Sequence, residues 1–175
     1  MDRAGVHSLV DEFIGAWNQR NLERFVGLLT EDVVWDDPAM LYGPAVGHEA
    51  VRSFCDMVLR AFPDFSYRIR APICISESCD RCVVPWEITA THLGYFYPPG
   101  FAPTYQEITM QGVDVLELKN AKVCRIDSLF NIIPAIEQAL CVKLTPKRRS
   151  FKEYTVTLLQ RVRANWLKRR AKANK

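Results

Sequence analysis

Between residues 5 and 20, apolar side chains fall at Leu9, Val10, Phe13, Ile14 and Trp17. That three-to-four spacing predicts a helix with one buried face. Asn21 is placed to cap a second, short helix carrying Leu22, Phe25, Leu28 and Leu29. Val33 to Trp35 reads as a short strand stopped by Pro38. Residues 38–47 hold two Pro and two Gly and read as a loop. Residues 48–62 return to helical spacing, with Val51, Phe54, Cys55, Val58, Leu59 and Phe62 on one side. After Pro63-Asp64 the period changes to two. Residues 65–75, 83–91, 105–118 and 122–131 are four strand candidates, separated by turns at 76–82, 97–104 and 119–121. A short helix over about 133–141 closes the series. Helices followed by an antiparallel meander predict an α+β fold, with helices packed on one face of the sheet.

Composition narrows the class. At 175 residues, 49% hydrophobic and 25% charged, the chain fits one domain with a sizeable core. No apolar run approaches the roughly 20 residues of a membrane-spanning helix. Residues 1–7 lack the apolar centre of a signal peptide, so the expected location is the cytoplasm, with six reduced cysteines. Charge divides the chain. Residues 1–142 carry 11 basic and 19 acidic side chains, a balance of −8; residues 143–175 carry 12 basic and one acidic, Glu153, a balance of +11. This asymmetry predicts a body over 1–144 and an appended basic helix over 145–175.

Two aspartates stand out in strand-like runs. Asp37 ends Val33-Val34-Trp35-Asp36-Asp37-Pro38, and Asp114 lies inside Gly112-Val113-Asp114-Val115-Leu116. A carboxylate in an apolar strand is costly unless protonated, paired or hydrogen-bonded. Two carboxyl groups in different environments can divide into a base and an acid. Asp before Pro is also an ordinary turn former, and Asp114 matters only if its strand face is a pocket wall. Alternation places Trp86, Ile88, Ala90 and His92 on one face, with His92 its titratable group. Leu116 shares the face of Asp114. Trp17, Trp35, Trp86 and Phe130 are core or pocket wall, and their bulk suits an apolar ligand. Cys79-Asp80-Arg81-Cys82 has metal-like spacing without a second Cys pair, so no metal and no cofactor are assigned.

The chain resembles the SnoaL-like polyketide cyclases and their ketosteroid isomerase relatives, within the nuclear transport factor two-like superfamily. The resemblance is carried by Gly47-His48-Glu49-Ala50-Val51, Ala61-Phe62-Pro63-Asp64, Thr91-His92-Leu93-Gly94, Pro103-Thr104, Gln111-Gly112-Val113-Asp114-Val115 and Ile136-Glu137-Gln138-Ala139-Leu140, spread in order over residues 5–140. It implies a cone of curved antiparallel sheet and N-terminal helices around a single pocket. It also implies cofactor-independent acid/base chemistry on a small hydrophobic carbonyl compound, polyketide-, terpenoid- or steroid-like, in biosynthesis. Asp37 matches the isomerase general base, Asp114 its neutral hydrogen-bond donor, and His92 would assist a proton transfer. The chain departs from both patterns. Phe13 and Cys55 stand where the isomerases carry tyrosines, and Ser128 and Asn131 stand where the cyclases carry acids. The expected pocket wall is Phe13, Trp17, Trp35, Cys55, Trp86, Ile88, Leu116, Ser128 and Phe130. The resemblance also implies a homodimer. The alternative function is a non-catalytic domain of the same fold that binds a hydrophobic ligand or dimerises.

The tail carries its own signals. Ser150-Phe151-Lys152-Glu153 fits a capping box. Phe151, Tyr154, Thr155, Leu158, Leu159, Val162 and Trp166 follow at helical spacing among arginines and lysines. Two placements fit: against the acidic body, or on an anionic membrane surface as a peripheral anchor. The tail lacks a recognisable nucleic-acid-binding module, which argues against nucleic acid as a partner.

Overall fold

The structure is a computed structural model that describes residues 1–144, 146 and 148–173, with side chains to residue 164 in the last helix. The chain separates into two units, Met1–Val142 and Lys143–Lys175.

The first unit opens with α1 (Arg3–Asn18), capped by the Asp2 side chain, which accepts from the Gly5 N–H at 2.8 Å. Its buried positions, Val6, Leu9, Val10, Phe13, Ile14 and Trp17, form the stripe that the spacing predicts. The Asn21 side chain caps α2 (Leu22–Gly27). Next comes β1 (Leu29–Asp36), longer than the sequence pattern indicates. A two-residue strand, β2 (Ala45–Val46), pairs with β1 inside the segment expected to be loop. The third helix is α3 (Gly47–Ala61). The expected strand over 65–75 is two pieces, β3 (Ser66–Ile69) and β4 (Cys74–Ile75), both paired with β5 (Arg81–Thr91). Pro72, which lies in the break, has no N–H to contribute to a ladder. β6 (Glu107–Lys119), β7 (Lys122–Phe130) and α4 (Ile132–Ala139) complete the unit. Asn131 caps α4, its side chain accepting from Ile133 N–H.

The seven strands form one curved, unclosed sheet in the order β2-β1-β7-β6-β5-β3, with β4 also on β5. The sheet is mixed rather than wholly antiparallel, because β1 lies parallel to β7. Hairpins bring β5, β6 and β7 together, and β1 takes the remaining edge of β7. In the β6–β7 connection, Lys119 pairs with Lys122 across Asn120 and Ala121. Both linking residues have positive φ, 52° and 60°, the geometry that suits the twist of a two-residue hairpin.

The helices cover one sheet face. Between them lies an aromatic cluster in which Phe25 meets Phe13 at 4.8 Å and Trp17 at 5.3 Å, and Trp17 meets Trp35 at 5.9 Å and Phe65 at 5.3 Å. This cluster closes one part of the cone and leaves a cavity beside it.

The second unit contains α5 (Phe151–Ala173). Ser150 Oγ accepts from Glu153 N–H at 3.1 Å, and the Glu153 side chain reaches back to Arg149 N–H. Ser150 and Glu153 thus cap the helix start reciprocally, one residue displaced from the usual box. The side chains of Trp166 and Leu167 lie outside the described residues. Among the described residues, no helix is long and apolar enough to cross a membrane.

Candidate active site

A cavity of about 170 Å³ lies between the curved sheet, α3, α4 and the loop after β1. Its wall is mostly aromatic and aliphatic. Its polar members are Asp37, Tyr67, His92, Asp114 and Ser128, with the indole nitrogens of Trp35 and Trp86.

Strand register places three of these side by side. Asp114 on β6 pairs with Ser128 on β7. On the other side of β7, Asp36 pairs with Asp127, so Asp37 leaves β1 next to Ser128. The row therefore reads Asp37, Ser128, Asp114 across three neighbouring strands. Trp35 Nε1–H donates to Ser128 Oγ at 3.0 Å. That uses an acceptor site on the serine and leaves its single O–H for one carboxyl group at a time.

Asp37 is held by its own turn. Its Oδ1 accepts from Ala39 N–H at 2.7 Å, and its carbonyl accepts from Met40 N–H at 2.8 Å. Burial pushes its pKa up to about 7, and the Asp114 and Asp36 charges push the same way. The Ala39 N–H and the Ser128 hydroxyl pull the other way. A carboxyl group poised near neutral pH is suited to take and return protons.

Asp114 is 5% exposed. Burial raises its pKa, against opposing pulls from Tyr67, then Ser128 and Trp86. Tyr67 O–H donates to Asp114 Oδ2 at 2.6 Å. Ser128 Oγ–H and Trp86 Nε1–H lie near enough to Asp114 to favour its charged form, but neither meets hydrogen-bond geometry, so Asp114 Oδ1 and Trp86 Nε1 are buried without a hydrogen-bond partner among the described residues. With the carboxyl protonated on Oδ1, the site contains two unpaired donors, that O–H and the indole N–H. Unpaired buried donors are costly in an empty site and are paired by an acceptor that binds there.

Tyr67 escapes the sequence reading, although alternation with Phe65 puts it on the inward face of its strand. Its backbone is fixed by Asn18 at the end of α1. Asn18 Nδ2 donates to Tyr67 O at 2.7 Å, and Tyr67 N–H donates to Asn18 Oδ1 at 2.8 Å. β3 is the edge of the sheet, so this amide takes the place of a missing neighbour strand and sets the phenol on Asp114.

Gly112 makes room for Trp86, its partner on β5. A Cβ at Gly112 would lie 2.6 Å from Trp86 Cζ2 and 2.8 Å from Leu129 O. The Trp86 ring instead meets Phe130 edge-on at 5.4 Å. Gly112→Ala is expected to destabilise the fold by about 1–3 kcal/mol, as overpacking does, and to shift the Trp86 fluorescence. Unchanged melting and emission in that variant would show that Trp86 relaxes freely.

Of the residues expected to line the pocket, Trp17, Trp35, Trp86, Ile88, Ser128 and Phe130 do so, together with Asp37, His92 and Asp114. Three do not. Phe13, 2% exposed, is spent in the aromatic cluster against Phe25. Cys55 is fully buried in α3, and burial pushes its thiol well above the ordinary range. Leu116 shares the face of Asp114 but lies one inward position beyond it, beside buried Cys82 and Ile126, where the core is closed. His92 lines the cavity at its other end. Val84 is the β5 residue opposite Asp114, and His92 is eight positions further on.

The comparisons agree with this architecture. The pattern of the SnoaL-like domain matches residues 10–126. AclR from Streptomyces galilaeus, provisionally assigned as a hydroxylase, superposes with a TM-score of 0.65 at 26% identity, covering 77% of this chain and 95% of its own. A provisionally assigned SnoaL-like polyketide cyclase from Jannaschia sp. CCS1 gives 0.69 at 15% identity, covering 83% and 99%. TerC, co-crystallised with polyporic acid, gives 0.62 at 19% identity, covering 77% and 97%. No protein of curated function matches significantly. With two thirds of its length matched by the family pattern and the fold shared with these structures, the chain belongs to the SnoaL-like domain family.

Proposed function

We propose that this protein is a cofactor-independent isomerase or cyclase acting by acid/base chemistry on a small hydrophobic carbonyl compound. The observation that carries the reading is the row Asp37, Ser128, Asp114 at the wall of an otherwise apolar cavity. The assignments of several similar structures as polyketide cyclases support the reaction class.

The chemistry follows from the geometry. Above about pH 7, Asp37 is ionised and can take a proton from the carbon next to a carbonyl. The C–H electron pair moves into the enolate, and the negative charge collects on oxygen. Neutral Asp114 donates from Oδ1 to that oxygen, with Trp86 Nε1–H as a second donor. Asp37 then returns its proton to a different carbon, which is isomerisation. Alternatively, the enolate carbon attacks a second carbonyl carbon of the same molecule; the π pair of that C=O moves to its oxygen, which takes the proton held by Asp37, and the ring closes as an aldol. Ser128 hydrogen-bonds to whichever carboxyl is ionised. Burial raises both carboxyl groups, and the base is lost as pH falls through about 7. The scheme requires Asp114 to keep its proton at the pH where Asp37 has lost its own, so it predicts a bell-shaped pH profile whose alkaline limb belongs to Asp114.

The test requires no knowledge of the natural substrate. The protein should catalyse exchange of the α-protons of 2-tetralone in D₂O, read by NMR, with a rate that rises as pH passes through about 7. Exchange no faster than in buffer, across the whole pH range, would leave the alternative reading of a hydrophobic-ligand carrier.

A further inference from the structure

The end of the cavity away from the two carboxyl groups holds a buried histidine that the acid/base scheme does not use. His92 follows the last residue of β5 and is 1% exposed. At about 3.3 Å per residue, on the order of 25 Å of curved strand separates it from the level of Asp114. Ile88, Ile108 and Met110 line the wall between and are apolar.

The ring's surroundings decide its tautomer. Nδ1 lies 3.2 Å from the Ala139 carbonyl oxygen and 3.3 Å from Thr104 Oγ1. The carbonyl can only accept. The Thr104 hydroxyl gives its hydrogen to the same Ala139 carbonyl, so toward the ring it too can only accept. Nδ1 must therefore carry a proton, and in the neutral ring Nε2 is a bare acceptor. That atom is buried and has no partner among the described residues. A structural histidine would be expected to have both nitrogens paired. Here one edge ties α4 to the strand end, and the other is unpaired in a residue that lines the cavity.

We infer that His92 is a ligand-recognition residue whose Nε2 accepts a hydrogen bond from the substrate. The ligand is then an apolar ring compound small enough for a cavity of about 170 Å³, with a hydroxyl, or another N–H or O–H donor, directed at His92. It enters the same cavity as the acid/base reading but does not depend on the Asp37–Asp114 row. A compound lacking that donor leaves Nε2 unpaired, and the site discriminates against it for that reason.

The test uses phenol and anisole, ring probes that differ in one donor and fit a cavity of this size. In the full chain at pH 8, ¹⁵N NMR of the His92 ring should show a protonated Nδ1 and a bare Nε2. Phenol should move the Nε2 resonance and anisole should not. Phenol should bind roughly tenfold more tightly than anisole, the span of one added hydrogen bond. His92→Leu should bind the two equally. A protonated Nε2, an Nε2 signal indifferent to phenol, or the same preference in His92→Leu would each overturn the inference. The NMR readout on the unaltered chain stands even if the variant folds poorly. None of these measurements involves turnover. A phenol response at His92 with no tetralone exchange would keep the acceptor and remove the acid/base reading; the reverse result would do the opposite.

Discussion

Asp37→Asn is expected to lower turnover by about two to four orders of magnitude and, at pH 8, to make the protein more stable. The two effects share a cause. Folding moves the Asp37 carboxyl out of water and raises its pKa from 3.8 to about 7. Below pH 3.8 the group is protonated in both states and costs nothing. Between 3.8 and 7 the folded chain binds the extra proton, so stability falls as pH rises, and above 7 the full cost of a buried charge is present. Asn carries no charge, so the gain should be complete above pH 7 and fade as pH falls toward 4. Allowing for the solvent that reaches this partly exposed side chain, the gain is about 1–3 kcal/mol. That corresponds to roughly 2–4 °C of melting temperature per kcal/mol in a chain of this size. Melting curves at pH 5 and pH 8, beside the exchange rate, measure both effects. A variant with near-normal turnover would remove Asp37 from the chemistry. One equally stabilised at both pH values would show that the gain does not come from the carboxyl charge.

Asp114 should respond differently, because its role requires a neutral donor rather than a base. Asp114→Ala leaves the Tyr67 hydroxyl without its acceptor and opens a void. It should cost about 2–4 kcal/mol of stability and reduce turnover by about 10²–10³, the span of one lost oxyanion donor. Asp114→Asn keeps an N–H donor and an acceptor for Tyr67, so it should retain much more activity than the alanine variant. Equal losses in the two would rule out the donor role. Tyr67→Phe provides a check through pH. The Tyr67 hydrogen bond favours ionised Asp114 and lowers its pKa. Removing that bond raises the pKa further, so the alkaline limb of the rate profile should move to higher pH. A limb that stays in place, or moves down, would mean that Asp114 does not set it.

Local patterns were legible without the fold. The stripe of α1 is written in Leu9, Val10, Phe13, Ile14 and Trp17, because a helix repeats every 3.6 residues whatever it packs against. The β5–β6–β7 hairpins are written in period-two runs broken by short turns, and Asp37-Pro38 marks the end of β1. Asp114 was legible as a carboxyl group in an apolar run, and strand alternation put Trp86, Ile88 and His92 on one face. Tertiary structure decided the rest. Whether Phe13 faces the cavity or the core depends on where Phe25 and Trp17 arrive, and nothing within α1 states that. Leu116 and Asp114 share one strand face, yet only the curvature of the sheet separates wall from core between them. The parallel pairing of β1 with β7 joins residues nearly a hundred positions apart, and it is this pairing that sets Asp37 beside Ser128. Tyr67 meets Asp114 across two strands, and Asn18 fixes it from a helix. Periodicity reports which side of an element is apolar. It does not report what that side meets, because non-local pairings follow from chain closure and from competition for shared buried space.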